Sequence, residues 1–182
     1  MRRERPRHSA ESTPNRLMEA LSYLGYVVLG VALALAIRTW LFSPVRVVGW
    51  SMEPTLYQDD IMIITPSSYR FHEPERFDII VLDRPNAENI LLVKRIIGLP
   101  GDRVEIKDGL VYINGNVLSD DIYGAEPMYY SMAELTVPED HIFVLGDNRN
   151  QSTDSHELGT IPISSIRGKV QFHFPFGSNG QD

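Results

Sequence analysis

The chain of 182 residues contains no cysteine, which excludes both a disulfide framework and a thiol nucleophile. Basic residues are fewer than acidic ones, 17 Lys and Arg against 24 Asp and Glu, and they form no stripe. We therefore expect no nucleic-acid-binding surface. The five histidines are scattered without the spacing of metal ligands, so we expect neither a metal site nor a cofactor.

One apolar run is long enough to enter a bilayer. The 18 residues from Ala20 to Ile37 carry no charge, and a helix of that length spans roughly 27 Å, close to the thickness of a hydrocarbon core. Five arginines precede the run, which favours a cytoplasmic N-terminus and an outer position for the rest. They are Arg2, Arg3, Arg5, Arg7 and Arg16. A removable signal peptide and a buried core helix are the alternatives.

These features predict three parts of the chain. Residues 1–19 are polar and read as a disordered cytoplasmic tail. Residues 20–42 form the transmembrane anchor, and residues 43–182 form a β-rich domain outside the cytoplasm. The fold class is therefore mainly β, with one N-terminal transmembrane helix followed by mostly antiparallel sheets.

Short apolar runs separated by turn residues indicate the strands of the outer domain. Asp108-Gly109 and Asn114-Gly115 accept the positive φ angles of tight hairpin turns. Ser119–Glu139 is the least regular segment, and we expect it to pack as a flap. The predicted strands are Val45–Val48, Ile61–Ile64, Phe77–Leu82, Ile90–Ile97, Val104–Lys107, Leu110–Ile113, Asn116–Leu118, His141–Leu145 and Lys169–Phe174.

A serine and a lysine are the residues most indicative of chemistry. Ser51 follows the predicted anchor, and Lys94 interrupts an apolar strand. A serine hydroxyl is a poor nucleophile until a base takes its proton. A lysine can be that base if burial lowers the pKa of its amine far enough. The pair predicts a membrane-bound serine hydrolase, although each residue alone could be an ordinary surface side chain.

Four boxes of this sequence resemble those of bacterial type I signal peptidases, which are membrane-bound serine proteases with a Ser–Lys dyad. The similarity covers roughly residues 20–175, and the boxes stand in the order and spacing of the family. They are Ser51–Leu56, Arg76–Val81, Lys94–Asp102 and Gly146–Ser155.

Three positions depart from the family pattern. Phe77 stands where glycine is usual. Gly49 stands where some members carry a serine whose hydroxyl helps to bind the oxyanion. His156 occupies the place where many members have an arginine that pairs with Asp154.

The resemblance implies a role for each matching residue. Ser51 attacks the scissile carbonyl, Lys94 is the general base, and Ser152 hydrogen-bonds the lysine and aims it. The supporting residues are Asp147, which pairs with Arg95, and Asp154, which holds the C-terminal loop. Four apolar residues match positions that line the substrate pockets, although ordinary core is as good an interpretation. They are Val47, Met52, Val81 and Val93.

The resemblance also implies the activity. We expect a single-pass plasma-membrane endopeptidase, acting as a monomer at the lipid surface, that removes signal peptides from exported preproteins on the outer face. One alternative is a self-cleaving repressor-type Ser–Lys protease, which shares a similar β core but carries a DNA-binding domain instead of an anchor. The other is a catalytically dead, membrane-anchored binding module.

Overall fold

The computed structural model describes residues 16–41, 43–66, 68–85, 87 and 89–176. The other residues lie outside that description, among them 1–15 of the predicted tail, Phe42 of the predicted anchor and 177–182 of the predicted catalytic domain. The chain divides into two compact units, with the boundary after Arg38.

A long helix, α1 (Arg16–Leu41), begins the described chain. It starts before Ala20 because Leu17 and Met18 are both good helix formers. The segment Arg16–Ala36 is long and apolar enough to cross a membrane, by length and composition alone. All of its side chains are exposed, which is not the burial pattern of a core helix.

Eleven strands, two short α-helices and one 3₁₀ helix (Ile163–Ser165) follow among the described residues. The strands are β1 (Ser43–Arg46), β2 (Ile61–Thr65), β3 (Ile79–Asp83), β4 (Leu91–Gly98), β5 (Arg103–Lys107), β6 (Leu110–Ile113), β7 (Asn116–Val117), β8 (Met132–Thr136), β9 (His141–Leu145), β10 (Ile161–Pro162) and β11 (Ile166–Phe174). The helices are α2 (Ser68–Phe71) and α3 (Ser155–Leu158).

The strands form two antiparallel sheets, which confirms the predicted fold class for this part of the chain. The larger sheet has the order β1-β2-β11-β3-β4-β9-β10, and the smaller one has the order β7-β6-β5-β8. Strand β4 lies between β3 and β9, so both of its edges are paired with a neighbouring strand. Its residues from Lys94 to Gly98 are all buried.

Both predicted hairpin turns are present, with positive φ at Asp108, Gly109, Asn114 and Gly115. Ser119–Glu139, predicted as the least regular segment, contains one strand near its end. Met132–Thr136 forms β8 and pairs with β5, because Met132 and Leu135 pack against the core of the smaller sheet. Strand β10 was also not predicted, since its two residues are too few to show a period.

A buried apolar cluster supports the segment between β1 and β2. Its members are Val47, Met52, Leu56, Met62, Ile64 and Val81. Burial of such side chains contributes roughly 1.5–3 kcal/mol each. The loop that follows β1 is therefore anchored to the sheet by its own side chains, and Ser51 lies within it.

Candidate active site

Ser51 lies on a turn between β1 and β2. The base of the turn is closed by a hydrogen bond from Val47 N to Asp60 O at 2.9 Å. Gly49 has a φ of +97°, in the left-handed region that favours glycine. Its N–H donates to Gln58 Oε1 at 2.6 Å. The backbone therefore departs from the strand direction at Gly49, two residues before the serine.

The loop after β9 holds this turn from the other side. Asn148 N–H donates to Ser51 O at 3.1 Å, and the Asn148 side-chain amide donates to Trp50 O at 3.2 Å. Gly146 is so close that an added Cβ would lie 2.3 Å from both Ser51 O and Ser152 Oγ. Only glycine fits there without displacing backbone.

Lys94, in the centre of β4, meets Ser51 directly. Its Nζ lies 2.6 Å from Ser51 Oγ, and it also donates to Val93 O at 3.0 Å. This distance lies within hydrogen-bond reach, as a base that takes the hydroxyl proton requires. The fold thus brings together two residues predicted as a nucleophile–base pair that are 43 positions apart in the chain.

The surroundings of Lys94 favour its neutral form. The residue is 2% exposed, and among the described residues no carboxylate forms an ion pair with it. Burial lowers the pKa of the amine from 10.5 to about 8, against the opposing charges of Asp154 and Asp147. A useful fraction of the amine is therefore unprotonated in mildly alkaline water.

Arg95, the next residue, points to the opposite side of the strand. Its Nη2 and Nε donate to the two oxygens of Asp147 at 2.6 and 2.8 Å, and Thr55 Oγ1 also donates to that carboxylate. The ring of Tyr123 lies 3.6 Å from the guanidinium carbon. The predicted Arg95–Asp147 contact is thus present, and it ties β4 to the loop after β9.

Phe77 has a backbone conformation that favours glycine, because its φ is +72°. A Cβ in this region costs roughly 1–2 kcal/mol. Two contacts hold the residue there. Its carbonyl accepts from Arg95 Nη1 at 2.9 Å, and its ring packs on Tyr123 with 5.2 Å between centroids.

Ser152 lacks the hydrogen bond that the sequence analysis expected. Its hydroxyl is buried and has no hydrogen-bond partner among the described residues, so the expected hydrogen bond to Lys94 is absent. The amine is held instead by Ser51 and by the carbonyl of Val93, its own neighbour in the strand. The orienting role of Ser152 stays a prediction.

Asp154 organises the C-terminal loop around α3. One carboxylate oxygen accepts from Gly146 N at 2.9 Å, and the other accepts from His156 N at 3.2 Å and contacts His156 Nδ1 at 2.7 Å. The hydrogen bond to Asp154 raises the pKa of His156 above its usual value of 6.5. The imidazole also stacks on Tyr130, with 4.0 Å between ring centroids.

A groove of about 370 Å³ opens beside Ser51 and Lys94. The four residues predicted for the substrate pockets all line it: Val47, Met52, Val81 and Val93. The first three are at most 3% exposed and also belong to the apolar cluster beneath the turn. The two interpretations from the sequence are therefore compatible, because the same side chains are core and groove floor.

Three residues that support the turn were not singled out from the sequence. Thr55 and Asn148 lie inside the boxes Ser51–Leu56 and Gly146–Ser155, but their partners are 92 and 97 positions away. Gln58 lies outside the boxes, and nothing in the sequence connects its side chain with Gly49.

Comparisons with known proteins show what this chain is similar to. The family model described as Signal peptidase, peptidase S26 matches residues 20–175. Probable signal peptidase I-2 of Synechocystis sp. is 43% identical over 153 residues, covering 81% of this chain and 70% of that protein. Signal peptidase I of Bacillus licheniformis is 37% identical, covering 91% of this chain and 95% of that protein.

Among solved structures, the crystal structure of a signal peptidase I from Enterococcus faecalis is similar to this chain. It is 37% identical and has a TM-score of 0.48. The match covers 54% of this chain and 97% of that one.

Proposed function

Because the chain belongs to the signal peptidase family, peptidase S26, and is a serine endopeptidase that cleaves signal peptides, we propose that Ser51 is its nucleophile and Lys94 its general base. The observation that carries this assignment is the 2.6 Å separation of Ser51 Oγ and Lys94 Nζ. The family favours this activity over a self-cleaving repressor-type protease and over a catalytically dead binding module.

In the acylation step, the neutral Lys94 amine takes the proton of the Ser51 hydroxyl as Oγ attacks the scissile carbonyl. The lysine then gives that proton to the amine of the departing mature protein, and an ester remains on Ser51. In the second step the amine takes a proton from water, which attacks the ester. The Lys94 ammonium returns that proton to Ser51 Oγ as the ester bond breaks, so the signal peptide leaves as a carboxylic acid and the dyad is regenerated.

The developing oxyanion needs hydrogen-bond donors. The backbone N–H of Ser51 donates to no acceptor among the described residues, so it is free to serve. The N–H of Gly49 is already given to Gln58. We propose that Gln58 contributes by holding the turn in shape and that Ser51 N is the first donor.

The groove beside the dyad suits the signal-peptide side of the substrate. Val47, Met52, Val81 and Val93 give it an apolar floor beside the reacting atoms, as small side chains near the cut require. An extended peptide between the residues after β1 and the start of β4 would be held as an added strand.

Signal peptidase homologues are membrane-associated, and this chain has one N-terminal apolar helix of membrane-crossing length. We propose that the protein spans the plasma membrane once, with the tail 1–19 in the cytoplasm, the anchor at 20–42 and the catalytic domain 43–182 on the outer face. Protease added to right-side-out vesicles should then digest the catalytic domain and spare residues 1–19. A mature chain beginning near Leu35 or Ile37 would instead show a removed signal peptide.

We also propose that the catalytic domain touches the lipid surface as a monomer and binds no nucleic acid. Large apolar side chains beside the groove support the lipid contact: Val48 is 81% exposed and Trp50 is 63% exposed. Only two tryptophans are present. Bromine-labelled lipids should therefore quench the fluorescence of Trp50 in a Trp40→Phe variant, and a spectrum unaffected by them would exclude this contact.

Preprotein cleavage by the full-length protein in detergent tests the dyad. Ser51→Ala should abolish product, and Lys94→Arg should lower the rate by about 10²–10⁴-fold, since a guanidinium stays charged and cannot take the proton. His72→Ala, His141→Ala and His173→Ala are matched controls that should stay within several-fold of wild type. Loss of cleavage in a folded histidine variant would overturn the assignment of the base.

A further inference from the structure

A second groove, of about 510 Å³, borders the Ser51 turn and is not used by the chemistry described above. Its walls come from three segments: the end of the nucleophile turn, the irregular segment before β8, and the loop after β9. The lining residues of most interest are Glu53, Tyr57, Glu126, Tyr129, Arg149 and Asn150.

The two grooves divide one turn between them. Within this turn, the residues that line the first groove end at Met52, and those that line the second are Glu53, Pro54 and Tyr57. Asn148, a wall of the second groove, donates its backbone N–H to the carbonyl of Ser51 itself. A peptide chain that fills the first groove and passes Ser51 therefore meets the second one next.

The far wall of the second groove is fixed to the catalytic loop. Arg149 donates to both oxygens of Asp121 at 2.6 Å, and neither side chain is more than 6% exposed. Asn150 Oδ1 accepts from Tyr129 N at 2.9 Å, and its Nδ2 donates to Pro127 O at 3.0 Å. The wall is thus held by a buried ion pair and by two hydrogen bonds of the Asn150 side-chain amide.

The charges that face this groove leave an excess of negative charge. Three ionisable carboxylate or guanidinium side chains line it: Glu53, Glu126 and Arg149. Arg149 is neutralised by Asp121, whereas neither glutamate forms an ion pair among the described residues. Exposed tyrosine rings at Tyr57 and Tyr129 add apolar area with a hydroxyl at the rim.

We propose that the second groove binds the first residues of the mature protein, on the leaving-group side of the scissile bond, and prefers basic over acidic side chains there. This rests on Ser51 being the nucleophile. The groove then holds the amine product until it departs, while the acyl group stays in the first groove. Residues Glu53 and Glu126 set the charge preference.

Two preproteins that are identical up to the cut test this proposal, one with two lysines and one with two aspartates at the second and third residues after it. For the full-length protein in neutral detergent at low salt, kcat/KM should favour the lysine substrate by about three- to ten-fold, and 0.5 M NaCl should reduce the preference. The ratio should approach one in the double variant Glu53→Gln/Glu126→Gln.

Glu139→Gln, an exposed carboxylate outside both grooves, is the matched control and should keep the wild-type ratio. The single variant Glu126→Gln changes only an exposed side chain, so it should fold, and it should give an intermediate ratio. An unchanged ratio in Glu126→Gln and in the double variant would overturn the proposal. Failure of the wild type to cleave either preprotein would instead contradict the activity itself, independently of the groove.

Discussion

The two sides of strand β4 bury a cation in different ways. Lys94 faces Ser51, pairs with no carboxylate among the described residues, and has its pKa lowered to about 8 by burial. Arg95 faces Asp147 and forms a two-pronged ion pair in which both partners are at most 5% exposed. One side removes the charge by weakening the base, and the other keeps the charge and compensates it. The first arrangement is suited to catalysis and the second to holding elements together.

The largest change in stability should come from breaking the compensated side. Asp147→Asn leaves the Arg95 guanidinium buried without a counter-charge, which should lower the free energy of unfolding by about 3–5 kcal/mol. Urea denaturation followed by circular dichroism measures it. Glu134→Gln, which removes the exposed partner of Arg103, should cost at most about 1 kcal/mol. Equal effects of the two substitutions would contradict the distinction between the two kinds of pair.

Removing the buried cation on the Lys94 side should raise the stability of the protein, which is the opposite of the effect expected for Asp147→Asn. The folded-state pKa of Lys94 lies below its unfolded value of 10.5, so the unfolded chain binds the proton more tightly and charging Lys94 opposes folding below about pH 8. Lys94→Met should therefore stabilise the inactive protein at pH 7, by up to about 3 kcal/mol. The gain should shrink as the pH rises from 8 to 10.5. A gain that does not depend on pH would show that the amine is not the cause.

Phe77 lies on the Arg95 side of this comparison. Its carbonyl accepts a hydrogen bond from Arg95, and its ring packs on Tyr123. Both Phe77→Ala and Phe77→Gly remove the ring, but only glycine also removes the strain at a φ of +72°. Phe77→Gly should therefore be more stable than Phe77→Ala by about 1 kcal/mol, the reverse of the usual order. Thermal denaturation of the two variants side by side measures this difference.

The smallest effect concerns His156, which contacts the carboxylate of Asp154 and lies beside Glu157 and the ring of Tyr130. Its pKa is raised mainly by the hydrogen bond to Asp154, so the stabilisation is complete below pH 6.5 and is lost as the pH rises through the folded-state value. Over the same rise in pH Lys94 becomes a better base, because more of its amine is neutral. His156→Arg keeps the charge and should leave the rate unchanged at low pH but raise its alkaline side by less than about five-fold. A pH–rate curve that overlays that of the wild type throughout would show that the charge of His156 does not affect the rate.

The sequence predicted the strands well where they are long or end in a diagnostic turn. The predicted bounds of β6 and β9 match the structure, and Asp108-Gly109 and Asn114-Gly115 form the expected turns. The strands β8 and β10 were not predicted, because their residues show no clear alternation of apolar and polar side chains. Both strands form by pairing with another segment of the chain, and a local sequence pattern does not reveal that pairing.

The amino-acid sequence by itself determined which residues could do the chemistry, because a nucleophilic serine requires a base and a lysine in an apolar strand is otherwise costly. Tertiary structure alone decided their distance, since β4 places Lys94 Nζ 2.6 Å from Ser51 Oγ across 43 positions. It also decided that Ser152 Oγ has no partner among the described residues and that Gly49 N is held by Gln58. These contacts depend on how loops from different strands meet, and the spacing of residues along one chain does not specify that meeting.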